Sequence, residues 1–368
     1  MCQRGIIYTD RSPVWIWSWG KLAAITRVLW CKPDGKFNAD NEYCPVFGSF
    51  SQKLPFYRGC EHSQSRRKAL SVRSNTMTNE SPRMFDSQAS FAGITLTVDP
   101  IDRERSEGAD NVMAMFYEEQ PFMWEYVKTR LEQAIKRVRG SVDFLDVGTG
   151  SSVWSLLAIK NLNAQNVVAI DKSPRAIEMA RQNARANGVD FELRHEFYNM
   201  NSAEYRSAKA IGIYAPYHLY PASIEMKIPQ HARGGVDGQQ VFKEQLCIAN
   251  YHLAEGGVIV FNQMCLGKGG APMFTRYIPQ LIEGTSLTYT NIFKPMSTAE
   301  FLAGVYGDEH VAYQKSVAAA YPEIYYCDGV IRRDGKGEML VEKHSIDLHG
   351  RSWEDRIQLH KEISRHGQ

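Results

Sequence analysis

The sequence predicts a doubly wound α/β fold: a mostly parallel, seven-stranded sheet with an N-terminal hairpin and helix as its cover. Three observations predict it. Residues 142–150, Val-Asp-Phe-Leu-Asp-Val-Gly-Thr-Gly, read as a buried strand running into a glycine turn. Val167-Val-Ala-Ile-Asp171 reads as a second buried strand, ending in a carboxylate about 20 residues past Gly150. From there to Phe261, apolar runs alternate with helical patterns, which is how parallel strands and their crossover helices appear in sequence. Together these make the sheet Rossmann-like.

The elements follow in order. Ser90 to Val98 alternates apolar and small polar residues, as a short strand or hairpin does. Residues 121–138 place Trp124, Val127, Leu131, Ile135 and Val138 on one helical face, and Gly140 delivers the chain to the first core strand. After the second strand, Ser173 is an N-cap and Pro174 the first helical position. Ile177, Ala180 and Ala184 face the sheet, and Gly188 stops the helix. Further strands are expected near 189–194, Ala210–Tyr214 and Gly257–Phe261, with a helix from Gly238 to Ala254 before the last. Residues 287–293, 324–327 and 338–342 read as closing strands, with Asp334-Gly-Lys-Gly337 as a hairpin turn between the last two. The domain reading is a leader over 1–76, a cover and pre-core helix over 77–140, the nucleotide-binding core over 141–343 and a polar tail over 344–368. That tail ends in a short helix near Trp353–Ile363.

Composition narrows the function classes. The chain has 368 residues, 43% hydrophobic and 23% charged, with a net charge of +2, which gives no global argument for nucleic-acid binding. No apolar run reaches membrane-spanning length, and the Trp-rich segment from Pro13 to Trp30 carries Lys21 and Arg27 and lacks a signal-cleavage pattern. Seven cysteines, an odd number, fit reduced thiols in a cytoplasm better than a disulfide framework. Cys31, Cys44, Cys60 and His62 lack knuckle spacing, so no metal site is assigned. The leader reads as disordered or loosely packed, with Met77 an alternative start.

The chemistry centres on a nucleotide. Gly148 and Gly150 allow close backbone approach, and Asp171 can accept from two ribose hydroxyls. Val153 stands where a dinucleotide fingerprint would place its third glycine. The turn Asp146-Val-Gly-Thr-Gly150 with Asp171-Lys-Ser-Pro resembles motif I and the following acidic strand of class I S-adenosylmethionine-dependent methyltransferases. Beyond it come Tyr214-Ala-Pro-Tyr217-His218, then Gly234-Gly-Val-Asp-Gly238, then Gly256-Gly257 before the fifth strand. That order, over roughly 90–265, resembles the release-factor glutamine N-methyltransferases and their small-domain relatives. Those carry an Asn-Pro-Pro-Tyr turn, whose Asn falls on Tyr214 here and whose first Pro falls on Ala215. Ser152 replaces the family's third glycine.

The resemblance implies S-adenosylmethionine as cofactor. Asp146, Gly148, Gly150 and Asp171 would hold its ribose and amino-acid end, and Glu196 and Phe197 its adenine. Tyr214, Pro216, Tyr217 and His218 would form the acceptor site, with His218 as a base. A phenol cannot offer the donor–acceptor pair of a carboxamide, so the acceptor is expected to be a heteroatom of a small molecule or a protein side chain. Tyr117 to Trp124 are lid candidates. His231 is a candidate for the substrate mouth, and His252 for an exposed helix end. Three other readings remain open: methylation of a protein glutamine or nucleic-acid base, a nicotinamide-dependent oxidoreductase, and a catalytically silent interaction module. The oligomeric state is not legible.

Overall fold

In the computed structural model the described residues are 2–9, 12–19, 87–99, 111–112, 120–196, 207–342 and 353–365. The chain divides into two units, Met1–Thr76 and Met77–Gln368. In the first, β1 (Cys2–Thr9) and β2 (Ser12–Trp19) form an antiparallel hairpin. The expectations for Cys31, Cys44, Cys60 and His62 lie outside the described residues.

The second unit opens with the hairpin β3 (Ser87–Phe91) and β4 (Ile94–Val98) and continues into α1 (Gln120–Arg137). The doubly wound core follows: β5 (Val142–Val147), α2 (Val153–Leu162), β6 (Val167–Asp171), α3 (Pro174–Ala186), β7 (Glu192–His195) and β8 (Ala208–Ile213). A short parallel pair, β9 (His218–Leu219) and β10 (Arg233–Gly235), precedes α4 (Gln240–His252) and the long β11 (Leu253–Gly267). The chain closes with α5 (Phe274–Leu281), β12 (Thr285–Asn291), β13 (Met296–Ser297), α6 (Thr298–Tyr306), α7 (Val311–Ala320), β14 (Glu323–Arg333), β15 (Met339–Glu342) and α8 (Trp353–Arg365).

One mixed sheet organises these elements, in the order β7-β6-β5-β8-β11-β14-β12. All seven stand where strands were expected, as does β15, and with β13 the sheet has nine strands rather than the expected seven. β15 extends the edge beside β12, and β13 pairs with the start of β14. From β7 to β11 all neighbours are parallel, while β14 runs antiparallel to both β11 and β12. The expected hairpin between the last two strands is corrected. Both edges of β14 are occupied, by β11 and β12, so β15 passes over to pair in parallel with β12.

Both faces of the sheet are covered, which is why its strands are near-continuous apolar runs. On one face, Ile211, Ile259 and Phe261 pack against Phe242 and Leu246 of α4 and Phe274 and Ile278 of α5. On the other, Phe144, Val258 and Val260 pack against Trp124, Val127 and Leu131 of α1 and Leu156 and Leu157 of α2. Burying each such side chain stabilises the fold by roughly 1.5–3 kcal/mol in transfer terms.

The cover hairpin is held by a polar device. Asn183 and Asn187, one turn apart on α3, behave as a surrogate strand edge. Asn183 Oδ1 accepts from the Thr97 N–H at 2.7 Å, and Asn187 Oδ1 from the Thr95 N–H at 3.0 Å. Their Nδ2 groups donate to the Thr97 and Thr95 carbonyls.

Two further expectations are corrected. The tail is not simply polar: α8 buries Trp353, Arg356 and His360, one face at i, i+3 and i+7, where it meets α6. His252 is buried rather than exposed, because it lies on the face of α4 that also buries Gln245, Ile248 and Ala249.

Candidate functional site

The sheet reverses its strand order between β5 and β8, and the chain leaves both strands at their carboxyl ends. That is where an open α/β sheet forms its crevice. A cleft open to solvent lies there, lined among others by Gly148, Gly150, Asp171, Tyr214 and Pro216. Five of the sequence-predicted site residues thus converge on one cavity.

The glycine turn has a clear local cause. Gly148 and Gly150 adopt φ 77 and 53, values that L side chains rarely take. Asp171 fixes the turn from the neighbouring strand. Its Oδ2 accepts from the Gly150 N–H at 2.9 Å, and its Oδ1 accepts from the Ser173 N–H at 2.9 Å. A carboxylate oxygen can accept more than one hydrogen bond, so these contacts do not bar Asp171 from accepting from a guest.

Asp146 plays a different part from the one its sequence position suggests. It is buried and does not line the cleft. Its Oδ2 accepts from Thr149 Oγ1, Ser155 Oγ and the Ser155 N–H, at 2.8, 2.7 and 3.2 Å. It therefore ties the glycine turn to the first turn of α2. Burial raises its pKa to about 6, against the lowering effect of the Ser155 and Thr149 hydrogen bonds.

Another part of the cleft wall combines residues the sequence did not single out with two that it did, Gln120 among the lid candidates and His231 as the substrate-mouth candidate. Asn111 and Val112 line it and are anchored by Asp99 at the end of the cover hairpin. Asp99 Oδ2 accepts from the Val112 N–H at 2.8 Å, and the carboxylate also pairs with Arg175 at 2.5 Å. His231 lines the cleft as well, its Nδ1 at 3.0 Å from the Asn111 carbonyl. Gln120, Trp154 and Gln245 add further lining. Gln120 falls within the lid candidates Tyr117 to Trp124. Asn111 offered no sequence signal.

The lid candidates divide. Residues 117–119 lie outside the described residues, whereas Gln120 to Trp124 form the first turn of α1, with Met123 and Trp124 buried. Glu196 does not line the cleft. Its backbone N–H donates to the Asp171 carbonyl, and its carboxylate sits 3.4 Å from Arg194. Phe197 lies outside the described residues.

The Tyr214–His218 segment splits in the irregular stretch between the end of β8 and the start of β9. Tyr214 and Pro216 face the cleft. Tyr217 and His218 are buried on the side of α8 instead. The Tyr217 ring lies 5.9 Å from that of His360, and His218 Nδ1 contacts His360 Nδ1. Burial and the neighbouring His231 push the His218 pKa down to about 3, so it is a neutral packed imidazole. The predicted acceptor-site base is thus turned away from the cleft. The Gly234–Gly238 segment explains the packing: a Cβ on Gly234 would stand 2.8 Å from the Tyr217 backbone, and one on Gly238 would stand 2.7 Å from the Tyr217 carbonyl. Those glycines let the loop press against the Tyr217 backbone.

Polar atoms in the cleft fit a hydrogen-bonding guest. Both amide atoms of Asn111, Gln120 Oε1 and Tyr214 Oη are buried without a hydrogen-bond partner from the protein. Buried polar groups are ordinarily satisfied, and here the lining is left to be satisfied by what enters. Among the described residues no group of three or more metal-ligating side chains occurs, and no helix is long and apolar enough to cross a membrane.

Comparison with known proteins points in one direction. Residues 128–211 match the family model of ribosomal protein L11 methyltransferase (PrmA). The ribosomal protein L11 methyltransferase of Thermosipho africanus is 44% identical over 59 residues, 16% of this chain and 22% of that protein. A putative protein N5-glutamine methyltransferase of Methanocaldococcus jannaschii is 27% identical over 129 residues, 34% of this chain and 62% of that protein. The family-model match includes the glycine turn and Asp171. The chain spans about a fifth of the length of the L11 methyltransferase and less than two thirds of the glutamine methyltransferase. A ribosomal protein L11 methylase structure from Lactobacillus delbrueckii subsp. bulgaricus is 18% identical, covers 56% of this chain and 78% of that one, and has a TM-score of 0.30.

Proposed function

We propose that this chain is an S-adenosylmethionine-dependent methyltransferase acting on a heteroatom of a small molecule or protein side chain. The observation that carries the reading is the convergence of the glycine turn, Asp171, Tyr214 and Pro216 on one cleft at the sheet's switch point. The methyltransferase family match over 128–211, which takes in the glycine turn and Asp171, supports it. Bound there, the cofactor would supply a methyl group activated on a sulfonium. The protein's contribution is alignment and exclusion of water. Asp171 would accept from the ribose hydroxyls while holding Gly150. Gly148 and Gly150 would admit the cofactor's backbone. Asn111 and Gln120 would satisfy its polar tail, and Tyr214 and Pro216 would border the transferred methyl.

No step is routed through His218, which is buried and neutral. A protein side chain stays among the acceptors because both named relatives are protein methyltransferases by name. The carboxamide that would pair with a glutamine amide is replaced at Tyr214, which weighs against glutamine itself.

A thermal-shift comparison tests the nucleotide class. S-adenosylhomocysteine at a hundred times its dissociation constant stabilises a protein by about 2.7 kcal/mol, a shift of several degrees, and NAD should give none. Stabilisation by NAD alone would overturn the reading in favour of an oxidoreductase.

A further inference from the structure

A row of polar side chains crosses the sheet beside the cleft, in a layer that is otherwise apolar. Phe261 of β11 pairs with Ile213 of β8, so the next residues, Asn262 and Tyr214, stand side by side on one face. Asn262 pairs in turn with Asp328 of β14, and Asp328 with Thr290 of β12. Tyr214, Asn262, Asp328 and Thr290 therefore form one transverse line over four adjacent strands, beginning at a residue that lines the cleft. Tyr214 packs against the cluster that also contains Val260 and Val330, which share this face. α1 lies across β8, β11 and β14 here.

The row is buried and incompletely paired. Asn262, Asp328 and Thr290 have no measurable exposure. A single hydrogen bond joins them: Asn262 Nδ2 donates to Asp328 Oδ1 at 2.8 Å. Tyr214 Oη, Asn262 Oδ1, Asp328 Oδ2 and Thr290 Oγ1 have no hydrogen-bond partner in the protein. Among the described residues no cation is paired with Asp328. Leaving one buried polar atom unsatisfied costs about 1–3 kcal/mol, and a carboxylate oxygen more. Four in register are too costly to be incidental, and they call for a guest.

The chemistry of the unpaired atoms specifies that guest. Asn262 Oδ1 and Asp328 Oδ2 are acceptors, and the hydroxyls of Thr290 and Tyr214 can accept. A line of acceptors around a carboxyl group is complemented by a group that brings several donors and a positive charge. Phenol rings flank it: Tyr326 stands two residues before Asp328 on the same face, and Tyr126 of α1 feels the Asp328 charge. We propose that this row is the acceptor-binding site, and that its Asp328 end takes the ammonium group of a small amine while the reacting atom faces the cleft at Tyr214. The inference rests on the methyltransferase reading of the cleft. A small molecule is favoured over a protein side chain because Asn262, Asp328 and Thr290 are closed from the surface and only the Tyr214 end of the row lines the cleft.

The test uses the full chain, loaded with S-adenosylhomocysteine and titrated calorimetrically with n-butylamine and phenethylamine, against n-butanol and phenethyl alcohol. The expected result is saturable binding of an amine and not of its matched alcohol. Asp328→Asn should weaken amine binding at least tenfold while S-adenosylhomocysteine affinity is unchanged. Thr290→Val, nearly isosteric, should weaken it severalfold and serves if the first variant does not fold. Equal amine binding by wild type and both variants overturns the proposal, as does absence of amine binding by the loaded wild type. Failure of S-adenosylhomocysteine itself to bind removes the methyltransferase reading and this inference with it, an outcome distinct from loss of amine binding alone.

Discussion

The Asp171 carboxylate accepts a hydrogen bond from the backbone N–H of Gly150 at 2.9 Å, joining the end of β6 to the glycine turn after β5. With the bond from Ser173, one side chain holds two segments of the cleft in place before any nucleotide arrives. Asp171→Ala should therefore destabilise the protein even without ligand, by about 2–4 kcal/mol, the loss of two charge-assisted hydrogen bonds. Urea unfolding of the free protein checks this. An unchanged midpoint would mean that the carboxylate is only a ligand-binding group.

Ser152 adopts φ 65, a left-handed conformation, and its buried hydroxyl has no hydrogen-bond partner in the protein. The position is one where the resembled family carries glycine, and both features cost energy in serine. Ser152→Gly is expected to stabilise the fold by about 1 kcal/mol and raise the melting temperature by a few degrees. A lower melting temperature would show that the hydroxyl has a role the geometry does not display.

His218 and His360 meet through their Nδ1 atoms inside the seam between the Tyr217 segment and α8. Burial is the main cause that lowers both pKa values. His231 adds to it for His218, and His218 and Arg356 add to it for His360. A histidine whose folded pKa lies below its unfolded value of about 6.5 costs stability as pH falls, because the unfolded chain takes up the proton first. The cost is absent above about pH 7 and grows by about 1.4 kcal/mol per histidine for each pH unit below 6.5, until the folded pKa is reached. His360→Leu should thus gain on wild type as pH falls: the difference in unfolding free energy between them should move toward the variant by about 2 kcal/mol from pH 8 to pH 5. A pH-independent difference would show that His360 takes up its proton in the fold as readily as in the unfolded chain.

Much of the fold was legible because its signals are local. The strand at Val142–Val147 and the capped helix at Pro174–Ala186 are set by apolar runs, Ser173 and Pro174, and all appear as read. The partner of β15 was not legible: which edge it takes depends on β12 already lying beside β14, a long-range fact. The cleft was legible where a motif prescribes backbone shape, as at Gly148, Gly150 and Asp171. It was misread at His218, because the chain leaves β8 at Ile213, strand alternation no longer sets where the following side chains point, and α8 from the far end of the chain packs against both Tyr217 and His218. Asp328 and Asn262 carried a usable signal, an acid and an amide within apolar strands, but only the register places them beside Tyr214.

The central claim is that the cleft between the glycine turn and Tyr214 holds S-adenosylmethionine through Asp171. Calorimetric titration of S-adenosylhomocysteine into the full chain tests it most directly, with Asp171→Ala measured alongside. Micromolar affinity, near −8 kcal/mol, falling at least a hundredfold in a variant that still unfolds cooperatively is the predicted result. No heat of binding in the folded wild type, or equal affinity in the variant, would contradict it.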